Sequence, residues 1–167
     1  MKPETIFILI LFFLCFGYLF GLVLDYLNEK SGSQKLPKEA EGIYNSEKYS
    51  TSQRYQKEQY HMGLITGLLG FVAIMAMLLF NGFAWLDGFV RSITENPIGM
   101  TLLYFGIIAL VSEIMNTPFA LYETFVIEEK YGFNKMTYKT YVTDKLKALL
   151  LALVIGIPLV SLVVWFY

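Results

Sequence analysis

Long apolar runs alternate with short charged ones along this chain, and four of the runs carry no charge: Thr5–Leu24, His61–Leu86, Pro97–Ser112 and Ala148–Tyr167. A bilayer core takes about 20 apolar residues per helical crossing, and each run is close to that length or above it. The pattern predicts an all-α, polytopic membrane protein with four transmembrane helices, at about 5–27, 60–86, 97–118 and 147–167. Two polar loops, 28–59 and 119–146, and a short turn over Asp87–Pro97 join them.

Local signals refine these spans. Gly32-Ser33 and Pro37 break the first loop, whereas Ser46–Tyr60 carries mixed charge at helical spacing and leads straight into the second span. Gly63, Gly67 and Gly70 fall three and four residues apart on one helical face, where a neighbouring helix could approach closely; helix packing is the plainer reading, a ligand role the remoter one. Trp85 suits an aromatic belt at a membrane surface. Pro97 is harmless at a helix start, but Pro118 interrupts a continuing pattern and predicts a kink that frees the carbonyl of Ile114. Beyond it the helix is expected to resume and project past the bilayer until Gly132, a good left-handed terminator. Thr137 is a plausible N-cap for a helix climbing into the last span, which Pro158 could kink in turn.

Composition agrees with lipid as the main solvent: 56% of residues are hydrophobic and 16% charged, against about 25% charged in an ordinary soluble domain. The net charge of −1 gives no reason to expect nucleic acid as a partner. Cys15, the single cysteine, sits inside the first apolar run and has no partner for a disulfide. That run exceeds the usual ~7–15 residues of a signal peptide core and no A-x-A site follows it, so a retained span is expected. Of the 13 Lys and Arg, all but Lys2 and Arg91 fall in the two polar loops or, as Lys147, at the boundary of the second loop with the last span. The positive-inside rule therefore places both loops in the cytoplasm and both chain ends outside.

Candidate chemistry is sparse. Glu113 lies in or near the inner edge of the third span; with Asn116 and Thr117, just before Pro118, it forms a candidate intramembrane polar site. A charge at the bilayer centre costs ~2.5–3.5 kcal/mol or more on insertion scales, so Glu113 should face an interior or an aqueous cavity. An interfacial position, or a protonated carboxyl bonded to another helix, is the equal alternative. His61 is the only histidine, and a zinc site needs further ligands. An H-E-x-x-H zincin helix cannot be drawn from one imidazole. No catalytic and no metal-ligating residue is therefore assigned.

The segment Pro118–Thr137 stands apart. Read physically it is an amphipathic juxtamembrane helix, a glycine stop and a capped restart. Tyr122, Phe125, Tyr131 and Phe133 could dock on an apolar surface, while Glu128, Glu129 and Lys130 face water or pair with a partner. A solvated charged face and a docking surface under the membrane are both consistent with it.

This run closely resembles the signature of the CAAX prenyl protease 1 family of integral-membrane zinc metalloendopeptidases. The match falls on Pro118, Phe119, Tyr122, Thr124, Phe125, Val126, Ile127, Glu128, Glu129, Lys130, Tyr131, Gly132, Phe133, Asn134 and Thr137, then on Asp144, Leu146 and Lys147. Leu36–Ile43 and Tyr49–Lys57 also resemble the family's first cytoplasmic loop. The resemblance implies that residues 1–167 are the N-terminal transmembrane domain of such an enzyme, forming a chamber wall and a docking surface. The partners it implies are the lipid bilayer, a missing C-terminal catalytic half and a prenylated or membrane-associated peptide substrate. Zinc is expected in the full-length enzyme and not in this chain, which lacks H-E-x-x-H and should be inactive alone; a fragment or a truncated product would both fit. The rival reading is a non-catalytic scaffold, or a transporter or channel component built around Glu113, although no internal repeat of the kind transporters carry is visible. A stand-alone regulator of the protease is a third.

Overall fold

A computed structural model describes residues 2–32 and 45–166. Ser33, Lys35, Lys38, Pro37 and the Leu36–Ile43 part of the family likeness lie outside the described residues, as does Tyr167.

Capping chemistry explains where each helix begins and ends. α1, Pro3–Ser31, opens with proline at its first turn and Glu4 beside the positive helix end, and closes with Lys30 in its last turn. The N–H of Gly32 then donates back to the carbonyls of Asn28 and Glu29, each at 3.2 Å. α2, Ser46–Leu79, is started by Asn45, whose Oδ1 accepts from the N–H of Glu47 at 2.9 Å and of Lys48 at 3.2 Å. The mixed-charge stretch from Ser46 thus runs without a break into the apolar span, as its spacing predicts.

The second apolar run is not one helix. α2 stops at Leu79, Asn81 adopts the left-handed region at φ 56°, and α3, Gly82–Ile93, begins directly after it. The span expected at 60–86 is therefore shorter, and the expected turn Asp87–Pro97 is mostly helix. Asparagine tolerates the left-handed conformation because its short polar side chain bonds locally. Glycine fits closely next: a Cβ at Gly82 would lie 2.6 Å from Met77 Sδ and 3.1 Å from Met77 Cα, so a larger residue would displace the Met77 side chain. α3 is amphipathic. Leu86 and Val90, one turn apart, are buried, while Trp85 and Phe89 form a stacked pair on an exposed face with centroids 5.9 Å apart. On the polar face Asp87 Oδ2 accepts from Arg91 Nε at 2.7 Å, a hydrogen bond that pushes the guanidinium further up from its ordinary value.

α4, Pro97–Tyr122, is capped by Asn96, whose Oδ1 accepts from the N–H of Ile98 at 2.9 Å and of Gly99 at 3.1 Å. It runs through Pro118 without ending. Irregularity comes five residues later, as a π-helical segment over Glu123–Glu128 that passes into the short α5, Glu129–Tyr131. Gly132, at φ 74°, stops the run in the left-handed conformation expected of it. The N–H of Phe133 donates to the Glu128 carbonyl at 2.9 Å and that of Gly132 to the Glu129 carbonyl at 3.1 Å, the two bonds of a Schellman closure. Thr137 Oγ1 then accepts from the N–H of Thr140 at 3.2 Å, and α6, Tyr138–Phe166, follows through Pro158.

Among the described residues four helical runs are long and apolar enough to cross a membrane: Pro3–Ser31, Ser46–Leu79, Pro97–Tyr131 and Tyr138–Phe166. Among the described residues the buried apolar side chains are only Leu86, Val90 and Ile127, whereas large hydrophobic side chains line the outside of every crossing helix. Water would make such a surface untenable; lipid accommodates it, because acyl chains are as apolar as leucine.

The chain divides into two compact units, Met1–Met75 with Phe125–Phe133, and Ala76–Thr124 with Asn134–Tyr167. In the first, Tyr18 of α1 stacks on Phe71 of α2 with ring centroids 4.2 Å apart. In the second, α4 packs against both α3 and α6. The glycine stripe at Gly63, Gly67 and Gly70 receives no helix among the described residues: a Cβ at each would meet nothing within 4 Å.

Candidate functional site

In the first unit the polar half of α2 and the segment that follows the π turn are fastened together. Thr51, Tyr55 and Glu58 recur at i, i+4 and i+7, so they share one face of α2. Glu58 Oε1 is the common acceptor. It takes a charge-assisted hydrogen bond from Lys130 Nζ and another from Tyr131 Oη at 3.0 Å. Tyr55 completes the contact, edge-on to Tyr131 at 5.7 Å and to Phe133 at 4.8 Å between centroids. Gln59 Nε2 donates to Tyr55 Oη at 2.8 Å and holds that ring in place.

The π-helical segment is what presents these groups. A π turn inserts one residue per turn, rotating everything after it relative to the helix before. Ile127 is buried within it at 4% exposure, and Lys130 and Tyr131 emerge on the side of Glu58. Lys130, Tyr131 and Phe133 therefore contact α2 of this same chain, although Lys130 and Phe133 keep about half of their surface exposed. Tyr122 and Val126 remain about half exposed, at 52% and 46%. Asn134 turns the chain through its Oδ1, which accepts from the N–H of Met136 at 2.6 Å. Thr124, Phe125, Glu128 and Glu129 belong to the same π and α5 stretch, and Pro118 lies one turn before it.

The candidate intramembrane polar residues, Glu113 and Asn116, belong to the second unit. Glu113 on α4 pairs with Lys145 on α6, and the Lys145 ammonium also lies over the Tyr141 ring, 5.5 Å from its centroid. Asn116 Nδ2 donates to the Ser112 carbonyl at 2.8 Å and Thr117 Oγ1 to the Glu113 carbonyl at 2.7 Å. Both side chains bond back to their own helix, the pattern that bends helices, in the turn ahead of Pro118. A carboxylate already paired in this way is less suited to carry a transported ion. Asp144 and Lys147 form an exposed pair at 3.3 Å one turn apart on α6.

Nothing in the sequence pairs Glu58 with Lys130 or Glu113 with Lys145. The available signal was weak: Glu58 is one acidic residue in a mixed-charge helical stretch, and Lys145 precedes an apolar run. Among the described residues no three His, Cys, Asp or Glu side chains converge as metal ligands. His61 borders a groove whose other lining residues include Arg54, Lys57 and Lys130, cations that would repel a metal ion. These side chains do not fit a zinc site.

The family profile described as CAAX prenyl protease N-terminal, five membrane helices, matches residues 25–167. A CAAX prenyl protease 1 homolog of Taenia solium is 32% identical over 144 residues, which are 77% of this chain and 30% of that protein. The homolog of Oryza sativa subsp. japonica is 29% identical over 163 residues, 93% of this chain and 38% of its own length. The crystal structure of S. mikatae Ste24p shares the fold with a TM-score of 0.83 at 25% identity, over 97% of this chain and 39% of that one. The chain thus spans well under half the length of these relatives. Four crossing helices are described here against the five of the family description. On the match over residues 25–167, this multi-pass membrane chain belongs to the CAAX prenyl protease N-terminal family.

Proposed function

We propose that this chain is the membrane-embedded N-terminal region of a zinc metalloendopeptidase that processes prenylated or membrane-associated peptides. Its crossing helices form chamber wall, and Tyr122–Asn134 is the surface on which a catalytic half docks. Both polar loops face the cytoplasm. The observation that carries this reading is the Glu58 anchor. It ties Lys130 and Tyr131 to α2 and leaves Tyr122, Val126 and Phe133 as half-exposed apolar groups. Aromatic anchors such as Tyr122 carry much of the energy in a protein contact, with neighbouring apolar groups excluding water. The same anchor supports placing both loops on one face, since it joins the polar ends of two crossing helices.

Zinc, when bound in such an enzyme, activates water and polarises the scissile carbonyl. The side chains described here do not supply its ligands; their part is to position and enclose. The test uses the full-length gene product in native membranes with a fluorogenic prenylated peptide. Chelation is expected to abolish cleavage, and Tyr122→Ala with Val126→Ser to lower it about tenfold at unchanged abundance. Full activity after replacement of Tyr122–Asn134 by an unrelated helical segment would contradict the docking role.

A further inference from the structure

Around the Glu58 anchor, on the first unit, lies an open groove of about 600 Å³ lined by Arg54, Lys57, His61 and Lys130 together with Thr51, Glu58 and Tyr131. Its charge is unbalanced. Lys130 is satisfied by Glu58, and Lys57 lies at a loose 3.7 Å from Glu29. Arg54 is exposed, and its guanidinium makes one long hydrogen bond, to Ser50 Oγ at 3.5 Å. Three cations and a histidine therefore surround a single carboxylate, with the Thr51 hydroxyl at the same wall.

Position decides what such a groove would hold. Thr51, Arg54 and His61 stand at i, i+3 and i+10 on α2, and directly after His61 the helix becomes the uncharged run Met62–Leu79. The groove thus sits at the depth where phospholipid phosphates lie, with apolar helix below it for acyl chains. Its open side admits a headgroup laterally, and the cations on its wall favour an anion there.

We infer that the Arg54–Lys57–His61–Lys130 groove binds the phosphate headgroup of an anionic phospholipid from the surrounding leaflet. A guanidinium suits this role because its planar fork bonds two phosphate oxygens at once, and basic residues at a bilayer surface favour anionic over zwitterionic lipid. The inference does not depend on the protease reading.

The purified protein, reconstituted in phosphatidylcholine vesicles with or without phosphatidylglycerol and then extracted into mild detergent, is examined by native mass spectrometry for retained lipid. Phosphatidylglycerol should be retained over phosphatidylcholine by about tenfold. Arg54→Gln with Lys57→Gln should remove that preference, Arg54→Lys should keep most of it, and Arg91→Gln should leave it unchanged. Inorganic phosphate at constant ionic strength should not displace the lipid, because the acyl chains also hold it. Equal retention of the two lipids, an undiminished preference in the double variant, or full displacement by inorganic phosphate would each overturn the inference.

Discussion

Replacing Glu58 with Lys is expected to release residues 125–133 from α2. The substitution removes the acceptor shared by Lys130 and Tyr131 and sets two ammonium groups against each other where an ion pair stood. Backbone exchange at Glu129–Phe133 should quicken by about tenfold or more, since hydrogen bonds to charged groups are among the stronger local contacts. The π turn loses its far anchor at the same time, so protection should also fall at Ile127. Charge reversal supplies the control: Glu58→Lys combined with Lys130→Glu should restore most of the protection, whereas Tyr131→Phe alone should cost less than Glu58→Lys. Hydrogen exchange in detergent or nanodiscs reads all four proteins. If the double reversal exchanges as fast as Glu58→Lys, then the ion pair is not what fastens the segment.

The second large effect belongs to Val90, which is 1% exposed on the inner face of α3. Val90→Asp would bury a carboxylate among apolar neighbours, at a cost of about 3 kcal/mol or more unless the helix leaves. The expected outcome is detachment of α3 from α4, seen as a red shift of Trp85 emission and a lower unfolding temperature of the second unit. Trp165, at the far end of α6, should report little change, so replacing it with Phe isolates the signal. Phe89→Asp, on the exposed face of the same helix, should leave the α3–α4 contact intact. Equal destabilisation by the two substitutions would mean that α3 is not held by its Leu86–Val90 face.

Much of this fold could be read from the chain because lipid crossing imposes a coarse demand. Twenty uncharged residues in a row leave few alternatives, and glycine at Gly132 or threonine at Thr137 acts through its own backbone or side chain without help from afar. The break after Leu79 is hidden in the sequence for the opposite reason. Hydropathy stays high from His61 to Leu86, so the run looks continuous, and only the dipeptide Asn81-Gly82 betrays a turn. The π segment leaves no trace in a stretch where apolar and polar residues already alternate irregularly.

The candidate site was legible only in half. Its signature residues are contiguous, so Tyr122–Asn134 stood out, but their anchor comes from α2, some seventy residues earlier, where Glu58 has nothing local to mark it. Glu113 posed the same difficulty: a carboxylate in an apolar helix announces a partner without saying which. Lys145 is that partner here. The glycine stripe of α2 shows the converse, a close-packing motif with open space in front of it among the described residues.

Sidedness of the two polar loops is the most direct test of the whole account. With Cys15 changed to Ser, single cysteines at Lys48, Ser92 and Lys135 can be treated with a membrane-impermeant maleimide in intact cells and again after permeabilisation. Lys48→Cys and Lys135→Cys should react only after permeabilisation, and Ser92→Cys should react in intact cells. Labelling that puts positions 48 and 135 on opposite sides of the membrane would contradict the four-crossing arrangement and, with it, the Glu58–Lys130 anchor.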